Sequence, residues 1–133
     1  MSTAVQGRAE ALLKAPNFCN VSTLRGDGSI HAAPVWVDVQ DGKPVLNTAE
    51  GRAWPRNLER DPRLTLTVQN MENPYEYVTI RGTVSSREHE GADAHIDAMA
   101  MKYLGQETYP YRQPGERRLI IRVEPDHVHV YGS

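Results

Sequence analysis

Four arginines, Arg52, Arg56, Arg60 and Arg63, fall within the thirteen residues from Gly51 to Arg63, directly after an apolar run that reads as a strand. Guanidinium groups gathered this closely favour anions, because their planar fork of N–H donors matches phosphate and carboxylate oxygens. On a short helix, a step of about 100° per residue sets Arg52, Arg56 and Arg60 along one side and Trp54 with Leu58 on the opposite, core-seeking side. Pro55 suits a first turn, where a missing N–H costs nothing. Asp61-Pro62 supplies a stop, because the residue before proline avoids the α region. The local pattern is therefore strand, short basic helix, strand. Two uses of it stay open: an anion site, or a solvated connector whose arginines pair with Glu50, Glu59 and Asp61.

Other chemistry has weaker carriers. His127 and His129 lie two apart on one strand face, and Glu88, His89, Glu90, Asp93 and His95 cluster before a helix. Neither group has the tight ligand spacing of a zinc site, so these read as solvent-facing positions and no metal is expected. Cys19, the one cysteine, has no basic neighbour in sequence to activate it and reads as a small buried residue. Nucleophile-elbow, P-loop and His-Glu-x-x-His patterns are missing, which leaves hydrolase chemistry without a carrier.

The elements that must position the basic stretch are mostly strands. Val5, Ala9, Leu12 and Leu13 recur at helical spacing until Pro16-Asn17, predicting a short amphipathic packing helix. Phe18 to Arg25 and Ile30 to Gln40 read as a hairpin about Gly26-Asp27-Gly28-Ser29, and Pro34 marks an edge or a bulge in its second strand. Within that second strand His31, Ala33, Val35, Val37 and Val39 face one way, and Ala32, Pro34, Trp36 and Asp38 the other. Asp41-Gly42 turns the chain into a third strand, Pro44 to Ala49. Leu64, Leu66 and Val68 alternate as a half-buried strand. Tyr75 to Ser85 follows as another, with Tyr75 and Tyr77 on one face and Gly82 as a bulge. A helix from Ala92 presents Ile96, Met99, Ala100, Tyr103 and Leu104 and is capped by Gly105. Leu119, Ile121 and Val123 give one strand signal, and Val128 and Val130 another after Pro125-Asp126. Strands joined by tight turns, with few helices, predict a small antiparallel barrel, not a βαβ sheet.

Composition narrows the class. A chain of 133 residues, 39% hydrophobic and 24% charged, fits a single domain over residues 1–133. A formal net charge of −2 argues against a general nucleic-acid binder, since the arginines are local. No run approaches the roughly 18 apolar residues of a membrane span, and Met1 to Lys14 lacks the apolar core of a signal peptide. With a lone cysteine, the expected address is cytoplasmic.

Arg-x-x-x-Arg-Asn-Leu-x-x-Asp-Pro-Arg after a strand, then Asn73-Pro74-Tyr75-Glu76-Tyr77 and Ile80-Arg81-Gly82, resembles the split-barrel flavin and deazaflavin oxidoreductases. More narrowly, it resembles the coenzyme F420-dependent enzymes related to pyridoxamine phosphate oxidase, over nearly the whole chain, including Tyr103-Leu104-Gly105 and Tyr109-Pro110. The resemblance implies a mainly β fold with flanking helices, a split β-barrel that works as a homodimer with its cofactor groove between two subunits. It implies that His31, Pro34, Trp36, Asn47, Thr48 and Ala49 border a planar ring, with Val35 and Asn57 beside them. Arg52 and Arg56 would hold the phosphate of the cofactor's arm, and Tyr75 and Tyr77 would line the groove. The resemblance also implies lysine where this chain has Trp54, and two places stay open for the indole: the core beside Leu58, or the groove against the cofactor. The implied function is hydride transfer between F420 and a small electrophile such as a quinone, an enone or a nitro compound. FMN in the same groove, or a non-catalytic F420 carrier, are the alternatives. No side chain stands out as a proton donor; solvent or Tyr77 would serve.

Overall fold

The computed structural model describes residues 3–132, with the elements α1 (Gly7–Lys14), β1 (Cys19–Leu24), β2 (Ile30–Val35), β3 (Asp38–Gln40), β4 (Lys43–Ala49), α2 (Ala53–Arg60), β5 (Arg63–Gln69), β6 (Tyr77–Glu88), α3 (Ala92–Leu104) and β7 (Arg118–Tyr131). The strands form one antiparallel seven-stranded sheet in the order β2-β1-β5-β6-β7-β4-β3. The sheet is rolled into a split barrel: inward residues of β1, β4, β5, β6 and β7, among them Val21, Leu46, Leu66, Ile80 and Ile121, share one core with Leu12 and Leu13 of α1 and Trp54 and Leu58 of α2. Strand alternation explains the core directly, since Leu64, Leu66 and Val68 are buried while Thr65 and Thr67 are half-buried. None of the helices among the described residues is long and apolar enough to cross a membrane.

Three sequence expectations need correction. The run from Ile30 to Gln40 is not one strand. β2 is an edge strand, as Pro34 suggested, and it stops at Val35. Trp36 then leaves the ladder to stack on Tyr103, centroids 5.0 Å apart and planes within 4°. The backbone at the break is satisfied from α3: Val37 N–H donates to Tyr103 Oη at 3.1 Å, and Lys102 Nζ donates to Val37 O at 2.6 Å. Second, Tyr75 is outside the sheet. Asn73 O accepts from Glu76 N–H, so Asn73 to Glu76 is a turn, and β6 begins only at Tyr77. Tyr75 and Tyr77 therefore do not share a strand face. Third, the two last strand signals are one strand, β7, that runs through Pro125; the register with β6 shifts between Arg81 and Gly82, where the missing Pro125 N–H falls at a bulge. Gly82 is required there, because a Cβ would lie 2.4 Å from Glu124 O.

Candidate functional site

α2 forms as its sequence dictates. Arg52 is the N-cap in extended conformation, Pro55 lies in the first turn, and Asp61, again extended, ends the helix before Pro62. Trp54 and Leu58 are each 4% exposed and belong to the core, whereas Arg52, Arg56 and Arg60 face out. The three arginines have different surroundings. Arg60 donates to Asn57 Oδ1 at 2.9 Å, and Arg52 pairs with Glu116 at 3.7 Å. The Arg56 guanidinium has no partner among the described residues. Of the acidic partners expected for a solvated connector, Asp61 goes to Arg63 at 2.7 Å, and Glu50 and Glu59 go to Arg87.

The N-terminal end of α2 opens onto a groove of about 250 Å³. One wall is the end of β2 and the residue beyond it, Pro34, Val35 and Trp36; the other is Asn47 and Thr48 of β4 with Trp54 and Arg52 of α2. Seven of the residues expected at a cofactor site thus surround one cleft. Trp54 answers both alternatives for its place: it is buried with Leu58 and still contributes to the groove lining. Ala49 is buried next to Thr48 but does not line the cleft, and Arg56 lies one turn of helix beyond Arg52. Asn57 faces the core, its Nδ2 donating to Thr23 Oγ1 at 3.0 Å. His31, Tyr75 and Tyr77 lie outside the groove. Tyr75 is 84% exposed, and Tyr77 stacks on Tyr131 at 4.7 Å.

The sequence missed the rest of the lining: Phe18, Ile96, Tyr109, Tyr111 and Arg118. Phe18 and Trp36 both stack on Tyr103, and Tyr109 meets the edge of Trp36 at 5.8 Å and that of Tyr111 at 5.7 Å, so one wall is a continuous run of aromatic rings. The Tyr-Pro-Tyr run in the loop before β7 was the available signal.

Beneath this wall runs a buried polar chain. Asn47 Nδ2 donates to Ala92 O at 2.9 Å and to His95 Nδ1 at 3.0 Å, and Asn47 Oδ1 accepts from Arg118 Nε at 3.0 Å. With Nδ1 as an acceptor, His95 Nε2–H donates to Asp38 Oδ2 at 3.2 Å. His95 is therefore not the solvent-facing residue its sequence neighbourhood suggested; its side chain is 8% exposed. Burial opposes the charge on Asp38, but hydrogen bonds from His95, the Val39 N–H and Gln40 outweigh it and hold the carboxyl below its ordinary range. Beside this chain, burial pushes the Lys102 ammonium down to about 8 while Asp38 and Cys19 pull the other way. Cys19 is fully buried, and desolvation pushes its thiol up to about 12.

Two features of the groove suit a planar, phosphate-bearing ligand. Thr48, on the groove lining, has its Oγ1 buried without a hydrogen-bond partner among the described residues, an arrangement that costs about 1–3 kcal/mol unless something else satisfies it. Arg52, the N-cap of α2, puts a cation on the groove lining, and the first turn of the helix behind it holds no acidic residue. Apolar walls, an unsatisfied buried hydroxyl and a cationic rim fit a flat heteroaromatic ring with an anionic arm.

The sequence matches the family of pyridoxamine 5'-phosphate oxidase over residues 5–132. Solved structures share the fold. An F420 reductase superposes with a TM-score of 0.79 at 24% identity, covering 90% of this chain and 94% of that one. A conserved hypothetical protein of Mycobacterium tuberculosis gives 0.71 at 20% identity, covering 96% and 86%. General Stress Protein 26 of Bacillus anthracis gives 0.65 at 15% identity, covering 91% and 88%. A search of curated proteins finds no match. With its split barrel and a family match that spans almost its whole length, the chain belongs to the pyridoxamine 5'-phosphate oxidase family of flavin- and deazaflavin-binding proteins, most of them oxidoreductases.

Proposed function

We propose that the groove is the cofactor site of an F420-dependent oxidoreductase, which passes a hydride between the deazaflavin and a small electrophile such as a quinone, an enone or a nitro compound. The observation that carries this reading is an aromatic, apolar cleft whose lining includes both Arg52 and Thr48, the Thr48 Oγ1 hydroxyl being buried with no hydrogen-bond partner among the described residues. A neighbour in structure space that is an F420 reductase supports F420 over FMN.

When bound, the cofactor supplies the hydride chemistry; the chain supplies its placement. Pro34, Val35 and Trp36 hold the flat ring, because a proline at a sheet edge leaves room for a ligand to approach the backbone. Arg52 and Arg56 take the phosphate of the arm as charge-assisted donors. Their position at the entry of α2 adds the positive end of the helix to the same anion. Trp54, buried and still part of the groove lining, contributes packing. Solvent completes the proton balance, since Tyr77, stacked on Tyr131, lies outside the groove of its own chain.

We take the working unit to be a homodimer. At about 250 Å³ the groove is smaller than the roughly 300–1,000 Å³ of complete ligand pockets, so one chain offers only part of an enclosure. Ile30, Tyr75 and Tyr131 are 66, 84 and 42% exposed, which is the kind of surface a second copy covers. The test is cofactor titration by fluorescence, with sedimentation at micromolar concentration. F420 binding more tightly than FMN to a dimer is expected. Tighter FMN binding overturns the cofactor assignment, and a monomer overturns the two-subunit site.

A further inference from the structure

Arg118 opens β7, and its side chain is 2% exposed. Every part of it but one is committed. Nε donates to Asn47 Oδ1 at 3.0 Å, Nη1 donates to Glu116 Oε1 at 3.0 Å, and the guanidinium lies over the Tyr109 ring at 5.1 Å. Nη2 has no hydrogen-bond partner among the described residues, and Arg118 lines the groove. Burying a guanidinium is costly unless its donors are used, and a surface arginine would deliver the same charge without that cost. The protein also orients this one from behind. Asn47 cannot flip its amide, because Ala92 O requires the Nδ2 end and Arg118 requires the Oδ1 end, and His95 and Asp38 continue the chain to β3.

We propose that Arg118 is a ligand-binding residue of the groove, and that Nη2 donates to a carbonyl or anionic oxygen on the edge of the planar ring. This deepens the cofactor assignment and rests on it. Arg118 is held for the ring, and Arg52 for the arm. The two share Glu116, so Arg118 acting as a second phosphate anchor is the competing role the experiment must separate. A fixed guanidinium beside the ring also favours an electron-rich, reduced ring over an oxidised one, which makes Arg118 a determinant of the bound cofactor's potential.

The probes are ligand pairs with and without the phosphate: FMN against riboflavin, and F420 against its phosphate-free deazariboflavin core. Each is titrated by fluorescence into wild type, Arg118→Met, Arg118→Lys and Arg52→Ala, with melting curves to set the folded fraction. Arg118→Met should weaken the members of a pair by the same factor, about tenfold or more. Arg118→Lys, which keeps the charge and loses the fork, should fall between it and wild type. Arg52→Ala should weaken only the phosphate-bearing member. If Arg118→Met weakens only that member, or neither, the assignment of Arg118 to the ring is overturned while the cofactor site stands. If wild type binds none of the four ligands, the cofactor site itself is wrong and this assignment falls with it.

Discussion

Arg52, at the mouth of the groove, is ion-paired with Glu116, whose Oε2 lies 3.7 Å from Arg52 Nη2 while its Oε1 is held by Arg118 at 3.0 Å. An anion entering the groove has to compete with this carboxylate for Arg52. Glu116→Gln removes the competing charge and keeps an oxygen for Arg118. Arg52 is 48% exposed, so the pair has the modest strength of a half-solvated one, up to about 1 kcal/mol. Phosphate-bearing cofactor should therefore bind roughly twofold to fivefold more tightly to the variant, and the phosphate-free analogue unchanged. Unchanged affinity for both in a fluorescence titration would mean that Arg52 does not meet the phosphate.

Trp54, in the first turn of α2, is 4% exposed among core residues. Trp54→Lys removes an indole from that core and asks an ammonium to find water from a buried Cα. The expected cost is about 3 kcal/mol, read as a lower urea midpoint and a lower melting temperature. Tighter F420 binding at an unchanged melting temperature would show instead that the position belongs to the groove.

What could be read in the sequence was whatever local spacing decides. Arg52 and Trp54 came out on opposite sides of α2 because Pro55 and Asp61-Pro62 fix where the helix starts and stops. Pro34 announced an edge strand because proline cannot donate to a ladder. Arg118 was passed over because its neighbours in sequence say only that it begins a strand. Its burial comes from pairing with Ala49 and from Asn47, 71 residues away. His95 was misplaced for the same reason, its partners Asp38 and Asn47 lying on β3 and β4. Tyr75 looked like a strand residue because it alternates with Tyr77, but buried Glu76 between them is drawn to Arg8 and Asn70, and the chain turns there.

Gly82 sits at the bulge where β6 meets β7. An added Cβ would fall 2.4 Å from Glu124 O and 3.1 Å from Pro125 Cα, both of them backbone contacts that no rotamer change relieves. Gly82→Ala should cost about 2 to 3 kcal/mol as the hairpin shifts. Gly51, at φ 93° with open space around it, is the control, because alanine there brings only left-handed strain of about 1 kcal/mol. Equal urea midpoints for the two variants would refute the close approach at the bulge.

The ion pair between Arg8 of α1 and Glu76 before β6 gives the fold a defined acid limb. The Arg8 guanidinium forks onto both carboxylate oxygens, and Asn70 Nδ2 adds a third hydrogen bond at 2.8 Å. Together they hold Glu76 down to about 2, from an ordinary value of 4.5. A carboxyl whose folded pKa is depressed binds fewer protons folded than unfolded between those two values, so stability rises with pH through that window. The contribution of Glu76 is thus complete above about pH 4.5 and is lost as pH falls toward about 2. Glu76→Gln should be less stable than wild type at pH 7, with the difference between their urea midpoints shrinking as pH falls through that window. Asp61, also held down to about 2 by its hydrogen bonds from Arg63, titrates in the same range in both proteins and cancels in the difference. A constant gap between the two curves from pH 7 down to the acid transition would show that Glu76 has no stabilising charge to lose.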